Sequence, residues 1–125
     1  MGAFALDAGA LIALDRNQRE VIALIARAAE RGDRLVVSAG ALAQAMRDPA
    51  TQARLSRLVR QPTTDVVPID RVDAVRVGRR LSVSGTSDIV DAHVVECAQR
   101  TNAAVVTSGP DDLRLLGPNL RIVAI

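Results

Sequence analysis

The sequence predicts an α/β fold in which a central parallel sheet of about five strands is flanked by helices in three layers. Short strand-like apolar runs alternate with helix-like stretches along the whole chain, the pattern of a parallel sheet with helical crossovers. One run, AAVVTS (103–108), is almost purely apolar, as a strand buried on both faces must be. No internal repeat, low-complexity tract or long linker divides the 125 residues, so 1–125 is expected to form a single domain.

In chain order, AFALD (3–7) is the first strand and ends in an aspartate, and ALIAL (10–14) continues as a short helix. Val21, Leu24, Ile25 and Ala28 follow helical spacing within 17–33, with Gly32 near the stop. RLVVS (34–38) is the second strand and AGALAQAMR (39–47) the next helix. Asp48 is placed to cap a further helix with Pro49 at its first position, running through ATQARLSRLVR. TDVVPI (64–69) is the third strand, and Asp70 caps a helix to about Leu81. SVSGTS then forms a loop before the helix DIVDAHVVECAQRTN. After the fourth strand, PDDLRLLG makes a short helix and LRIVAI closes as the fifth strand.

Composition narrows the chemistry. All sixteen basic residues are arginine, so nothing that needs a lysine ammonium is possible, and the net charge of +2 is too small to establish nucleic-acid binding by itself. Phe4 is the only aromatic, which leaves a core of Leu, Val, Ile and Ala. A single cysteine, Cys97, excludes an internal disulfide and fits a reducing cytoplasm. No apolar run approaches a membrane span of about 18 residues, and MGAFALDAG lacks the charged and apolar regions of a secretory signal.

Eleven of the fourteen acids are aspartates, and their positions carry the functional signal. In open α/β sheets, ligands gather at the carboxyl ends of the strands. Asp7 ends the first strand before the small residues AGA, which leave room for a ligand. Asp111 and Asp112 follow the fourth strand. Asp88 and Asp91 begin a helix expected to start at the same edge, and their three-residue spacing puts them on one face. Capping accounts for such acids cheaply, because carboxylates suit helix N-termini. A divalent cation is the alternative, since it lets several carboxylates share one cleft in ionised form. Asp7, at a strand end among apolar residues, is the hardest to explain without a partner, whereas Asp15, Asp33, Asp65 and Asp73 read as solvated or capping residues. His93 stands about 200° around its helix from Asp91 and is expected to pack or to face solvent. Ser38, Ser87 and Thr107 are candidates to orient a metal-bound water or a phosphate. Arg47, Arg79 and Arg80, or the strip Arg54, Arg57 and Arg60, are candidates to hold phosphates.

Taken together, LDAGALIAL, VSAGALAQAMR, GTSDIVDAHVVECAQR and AVVTSGPDDLRLL resemble, in order and spacing, the PIN-domain family, above all the VapC-type ribonuclease toxins of toxin–antitoxin pairs. The resemblance covers nearly the whole chain and implies a PIN-like domain with Mg²⁺- or Mn²⁺-dependent endoribonuclease activity. It also implies an RNA substrate, a cognate antitoxin partner and a homodimer. By position it makes Asp7 and Asp91 metal ligands and Asp88 an accessory acid on the same helix face. Gln44 stands where the family usually has a glutamate, and Gly109 where it usually has the last acid. Asp112 or Asp111 is the available substitute, and Thr107 is the strand-end residue nearest the chemistry. Weakened metal affinity, or a non-cleaving domain that binds RNA or protein, follows from those two departures. A receiver-like phospho-acceptor domain shares the length and the strand-end aspartates but uses a lysine that this chain lacks.

Overall fold

A computed structural model describes residues 2–125. Five parallel strands form one sheet in the order β3-β2-β1-β4-β5. In chain order the elements are β1 (Ala3–Leu6), α1 (Ala8–Asp15), α2 (Arg19–Arg31), β2 (Arg34–Ser38), α3 (Ala39–Ala45), α4 (Ala53–Val59), β3 (Thr64–Val67), α5 (Arg71–Ser84), α6 (Ile89–Thr101), β4 (Ala104–Thr107), α7 (Pro110–Leu116) and β5 (Ile122–Ala124). Helix α6 lies across β1, β2 and β4 with α5 and α7 beside it, α1 gathers α2 and α4, and α3 touches both α1 and α6. The expected central parallel sheet flanked by helices is present.

The register sets what meets at the functional edge. Leu6 pairs with Val37 of β2 and with Val106 of β4. One step further, Asp7, Ser38 and Thr107 therefore form a row across the ends of three neighbouring strands. Leu6, Val37 and Val106 are completely buried beneath that row. β4 is buried along its length, as its apolar run requires, but β1 occupies the centre of the sheet.

Helix ends follow local chemistry where the sequence supplies it. Asp7, Ser38, Asp70 and Asp88 cap α1, α3, α5 and α6 through side-chain oxygens that accept backbone amides. Gly32 and Gly85 close α2 and α5 in the left-handed conformation that glycine adopts without a steric penalty. Two segments depart from the sequence expectation. The helix expected from Asp48–Pro49 begins only at Ala53: Asp48 Oδ1 accepts the Ala50 amide in a turn, and Gln52 Oε1 accepts the amides of Arg47 and Asp48. Helix α5 runs past Leu81 to Ser84, so the SVS half of the expected SVSGTS loop is helical and the connection to α6 is short.

Because Leu6 is completely buried in the central strand, Leu6→Ala is expected to cost about 2–5 kcal/mol of stability, as read by urea denaturation.

Candidate functional site

The parallel sheet brings the acids to one edge. Asp88 and Asp91, at the start of α6, and Asp112, in the first turn of α7, line a cleft of about 280 Å³ together with Thr86, Ser87, Leu115 and Leu116. Asp7 is buried at the end of β1 and does not line the cleft, yet its charge reaches Asp91. Of the two acids after β4, Asp112 faces this cleft. Asp111 is almost fully exposed and pairs with Arg114 in its own helix at 3.1 Å.

Each acid is held differently. Asp7 Oδ1 accepts the Ala10 amide at 2.8 Å. Burial pushes the Asp7 carboxyl above its ordinary range, while hydrogen bonds from Thr107 and the first amides of α1 pull it back. Asp88 Oδ1 accepts the Asp91 amide at 2.9 Å. Asp91 is half-buried and lies in the fields of Asp88, Asp7 and Asp112. Burial first, and those three charges next, push it up to about 6.

Asp91 is therefore the acid that pays most for the crowding. An oxygen-preferring divalent ion would relieve the repulsion, and the donor set is chemically suited to one. The acids are not gathered into a finished cage: among the described residues, no group of three His, Cys, Asp or Glu side chains stands together as a metal site. Asp7 and Asp88 each commit Oδ1 to a helix cap, and Asp7 also accepts from Thr107, yet each carboxylate has about four acceptor sites, so capping alone does not exhaust either.

Most of the other residues singled out in the sequence are engaged elsewhere in the fold, Gln44 and Ser87 excepted. Gln44 is exposed on α3 and makes no side-chain hydrogen bond among the described residues. Thr107 is fully buried; its Oγ1 accepts the Gly109 amide at 2.9 Å and the hydroxyl serves Asp7, so it supports the site from beneath rather than facing a substrate. Ser38 is buried as a helix cap, and Ser87 alone of the three hydroxyls lines the cleft. The space beside Gly9 is occupied by Ser108, because a β-carbon there would collide with Ser108 Oγ, so AGA serves packing of the chain against itself. Arg47 bonds the carbonyls of Ala43 and Met46, and Arg80 bonds Glu96, Gln99 and the Leu116 carbonyl. A larger groove of about 700 Å³ runs between α5 and α7, lined by Arg76, Arg79 and Val83 among others. It shares Leu115 and Leu116 with the acid cleft, and its one acid, Glu96, is engaged by Arg80.

His93 and Asp73 form a buried pair that the sequence reading missed. His93 packs, as expected, but with polar partners: Ser38 on one nitrogen and Asp73 on the other. Asp73 is neither solvated nor a cap, and the His93 hydrogen bond followed by Arg100 holds its carboxyl below the usual range. Asp33 is buried as well and accepts the Gly2 amide. Asp73 could have been found from its spacing, since it shares the inner stripe of α5 with Val77, and an acid on an apolar stripe needs a partner.

The raised Asp91 sets a pH dependence. An acid that ionises less readily in the folded chain contributes stability below its unfolded value of 3.8, and that contribution is lost as pH rises through about 6. Asp91→Asn, which removes the charge, should therefore be more stable than the parent at pH 7 without divalent ions. The expected gain is about 1–2 kcal/mol after allowance for solvent screening, and it should shrink towards pH 4. Paired thermal melts across this range read it.

No family model matches the chain, and no curated protein matches it in sequence. Solved structures do match. A chain of the FitAB complex bound to an IR36 DNA fragment superposes with a TM-score of 0.64 at 13% identity, over 97% of this chain and 94% of that one. A chain of VapBC2 from Rickettsia felis, bound to a DNA fragment from their promoter, superposes with a TM-score of 0.66 at 14% identity, over 98% of both chains. The likeness extends over nearly the full length of both chains in each case, and the PIN-like fold implied by the four sequence motifs is the fold of this chain.

Proposed function

We propose that the protein is a divalent-metal-dependent endoribonuclease of the toxin–antitoxin type. The observation that carries this reading is the convergence of Asp88, Asp91 and Asp112 on one cleft, with the charge of buried Asp7 felt at Asp91. Asp91, Asp88, Asp112 and Asp7 would hold Mg²⁺ or Mn²⁺, Asp7 through lone pairs that its Ala10 and Thr107 hydrogen bonds leave over. When bound, such an ion polarises a phosphodiester and lowers the pKa of a water that attacks it. The chain's own contribution is to present hard oxygens at the mouth of the cleft, to hold Asp7 in place through Ala10 and Thr107, and to exclude water beneath Asp7 with Leu6, Val37 and Val106.

An acid cleft alone repels RNA. The adjoining groove answers that difficulty, since Arg76 and Arg79 line it and it shares Leu115 and Leu116 with the acid cleft. Phosphates would follow the arginines to the cleft. A cognate antitoxin partner fits the two structural neighbours, which are both two-component complexes. A homodimer in the cytoplasm completes the reading. No helix among the described residues is long and apolar enough to cross a membrane.

One observation favours a second reading, a domain that binds RNA or protein without cutting: Gln44 and Gly109 supply no charge, and no three-acid cage is preformed among the described residues. Incubating the protein with structured RNA and Mg²⁺ or Mn²⁺ separates the two. Cleavage that Asp91→Asn abolishes is the expected result; RNA retained uncut under every divalent ion would overturn the nuclease. Asp7→Asn is the informative companion, because asparagine caps a helix about as well as aspartate. It should keep the fold while losing metal affinity.

The weakened site can be reinforced. A β-carbon on Gly109 would meet only Asp112 Oδ2, at 3.9 Å, and the residue's φ is not in the left-handed region, so a side chain fits. Gly109→Asp is expected to tighten Mn²⁺ binding by about tenfold, roughly 1.4 kcal/mol, while lowering stability in the absence of the ion. Calorimetry with and without Mn²⁺ reads both.

A further inference from the structure

His93 has no part in the chemistry proposed above, yet it is the chain's one histidine and is wholly buried. Its ring joins three elements. Nδ1 lies 2.7 Å from Ser38 Oγ at the end of β2, and Nε2 lies 3.0 Å from Asp73 Oδ2 in α5. The other oxygen of Asp73 accepts a hydrogen bond from Arg100, which returns the link to α6 at 2.6 Å.

Valence assigns the protons. Ser38 Oγ accepts the amides of Gly40 and Ala41 at 3.2 and 3.4 Å, which occupies both of its lone pairs. Its own proton must then go to Nδ1, so Nδ1 is an acceptor. Nε2 carries the ring proton and donates it to the Asp73 carboxylate. The imidazole is thus a strut of one defined tautomer, fixed at both ends.

The placement of the strut gives it a role. Ser38 is the sheet neighbour of Asp7, one register step beyond the Leu6–Val37 pair. His93 and Asp91 project about 200° apart on α6. Seating His93 on Ser38 therefore fixes the rotation and height of the first turns of α6 over β1 and β2, and with them the direction of Asp91. A second contact acts at the same joint. A β-carbon on Gly40, in the turn that Ser38 caps, would stand 3.1 Å from Val90 Cγ2, so α3 abuts the residue immediately before Asp91. We propose that His93 is a positioning residue which, through Ser38, sets the spacing between the Asp7 and Asp91 carboxylates. Its consequence for ion binding rests on the proposed function; the mechanical linkage does not.

The test compares the full chain with Ser38→Ala, His93→Leu, His93→Asn and the Ser38→Ala/His93→Leu double variant. Without metal, nitrogen-15 NMR should show the single imidazole as the neutral Nε2–H form, and a nuclear Overhauser contact should join the Gly40 α-protons to the Val90 methyls. Ser38→Ala and His93→Leu should each lose that contact and, well below their melting temperatures, bind Mn²⁺ about tenfold more weakly, the scale of an outer-shell loss. The double variant should be no worse than the weaker single, because one link is broken once. His93→Asn keeps an acceptor near the Nδ1 position and loses the Asp73 bond. It should melt lower yet keep the Gly40–Val90 contact and near-parental Mn²⁺ affinity, whereas a merely structural histidine would move stability alone in every variant. An Nδ1–H ring in the parent, or Ser38→Ala with contact and affinity intact, would overturn the proposal. If His93→Leu does not fold, Ser38→Ala against His93→Asn decides. If the parent binds no Mn²⁺, the proposed function fails, and the ring tautomer and the Gly40–Val90 contact still decide the linkage.

Discussion

Because all five strands run parallel, every strand ends at one edge of the sheet, and the helices that follow them begin there. That edge therefore collects unsatisfied helix amides and the positive ends of helix dipoles. The chain meets these amides with short oxygen-bearing side chains: Asp7, Ser38, Asp70 and Asp88 each cap the helix that follows them. An acidic site at this edge is thus built from residues that the fold already requires. Capping need not exclude ion binding, because a carboxylate that caps with one oxygen keeps further acceptor sites. Asp91 differs in kind. It stands inside the first turn of α6, where no amide needs it as a cap, and it bears the field of its neighbours.

The same logic explains what could be read from the sequence and what could not. The strands were legible because a parallel sheet needs near-continuous apolar runs, and AVVT and LVVS can be little else. Asp70 and Asp88 were legible as caps from their position ahead of a periodic stretch, and Gly32 as a stop. The α4 start was not, because it depends on Gln52, whose side chain reaches back to Arg47, Asp48 and Ala45 and forward in space to Asp15. No local rule marks glutamine as the clasp of a turn, whereas Asp-Pro does mark a helix start, and here that mark misleads.

The acids of the site were visible as types and spacings, but their division of labour was not. Asp111 and Asp112 are adjacent and chemically identical; only the pitch of α7 turns one to Arg114 and the other to the cleft. Thr107 read as a residue facing substrate because it ends a strand, yet the row Asp7–Ser38–Thr107 is covered by helices and its hydroxyls point to neighbours within the row's own surroundings. The buried His93–Asp73 pair spans 20 residues and two helices. Each member alone looks ordinary, and only the cost of burying an unpartnered carboxylate links them.

The scarcity of aromatics constrains how the proposed nuclease would recognise RNA. Binding of single strands draws on stacking of bases against aromatic rings, worth about 1–3 kcal/mol per base. This chain has only Phe4, in the central strand. Arginine stacking and phosphate pairing are the means that remain. Arg47, Arg80 and Arg34 are tied to partners within the fold, Arg34 by a two-nitrogen fork on Asp65. Arg76 and Arg79 make no hydrogen bond among the described residues and share a groove with the approach to the acids. Recognition of RNA by these groups, under the proposed function, would follow backbone shape more than base identity. A substrate would then be selected by a fold of RNA that can lay a kinked or looped backbone along α5 and into the cleft, and discrimination would depend on salt far more steeply than on the bases at the cut.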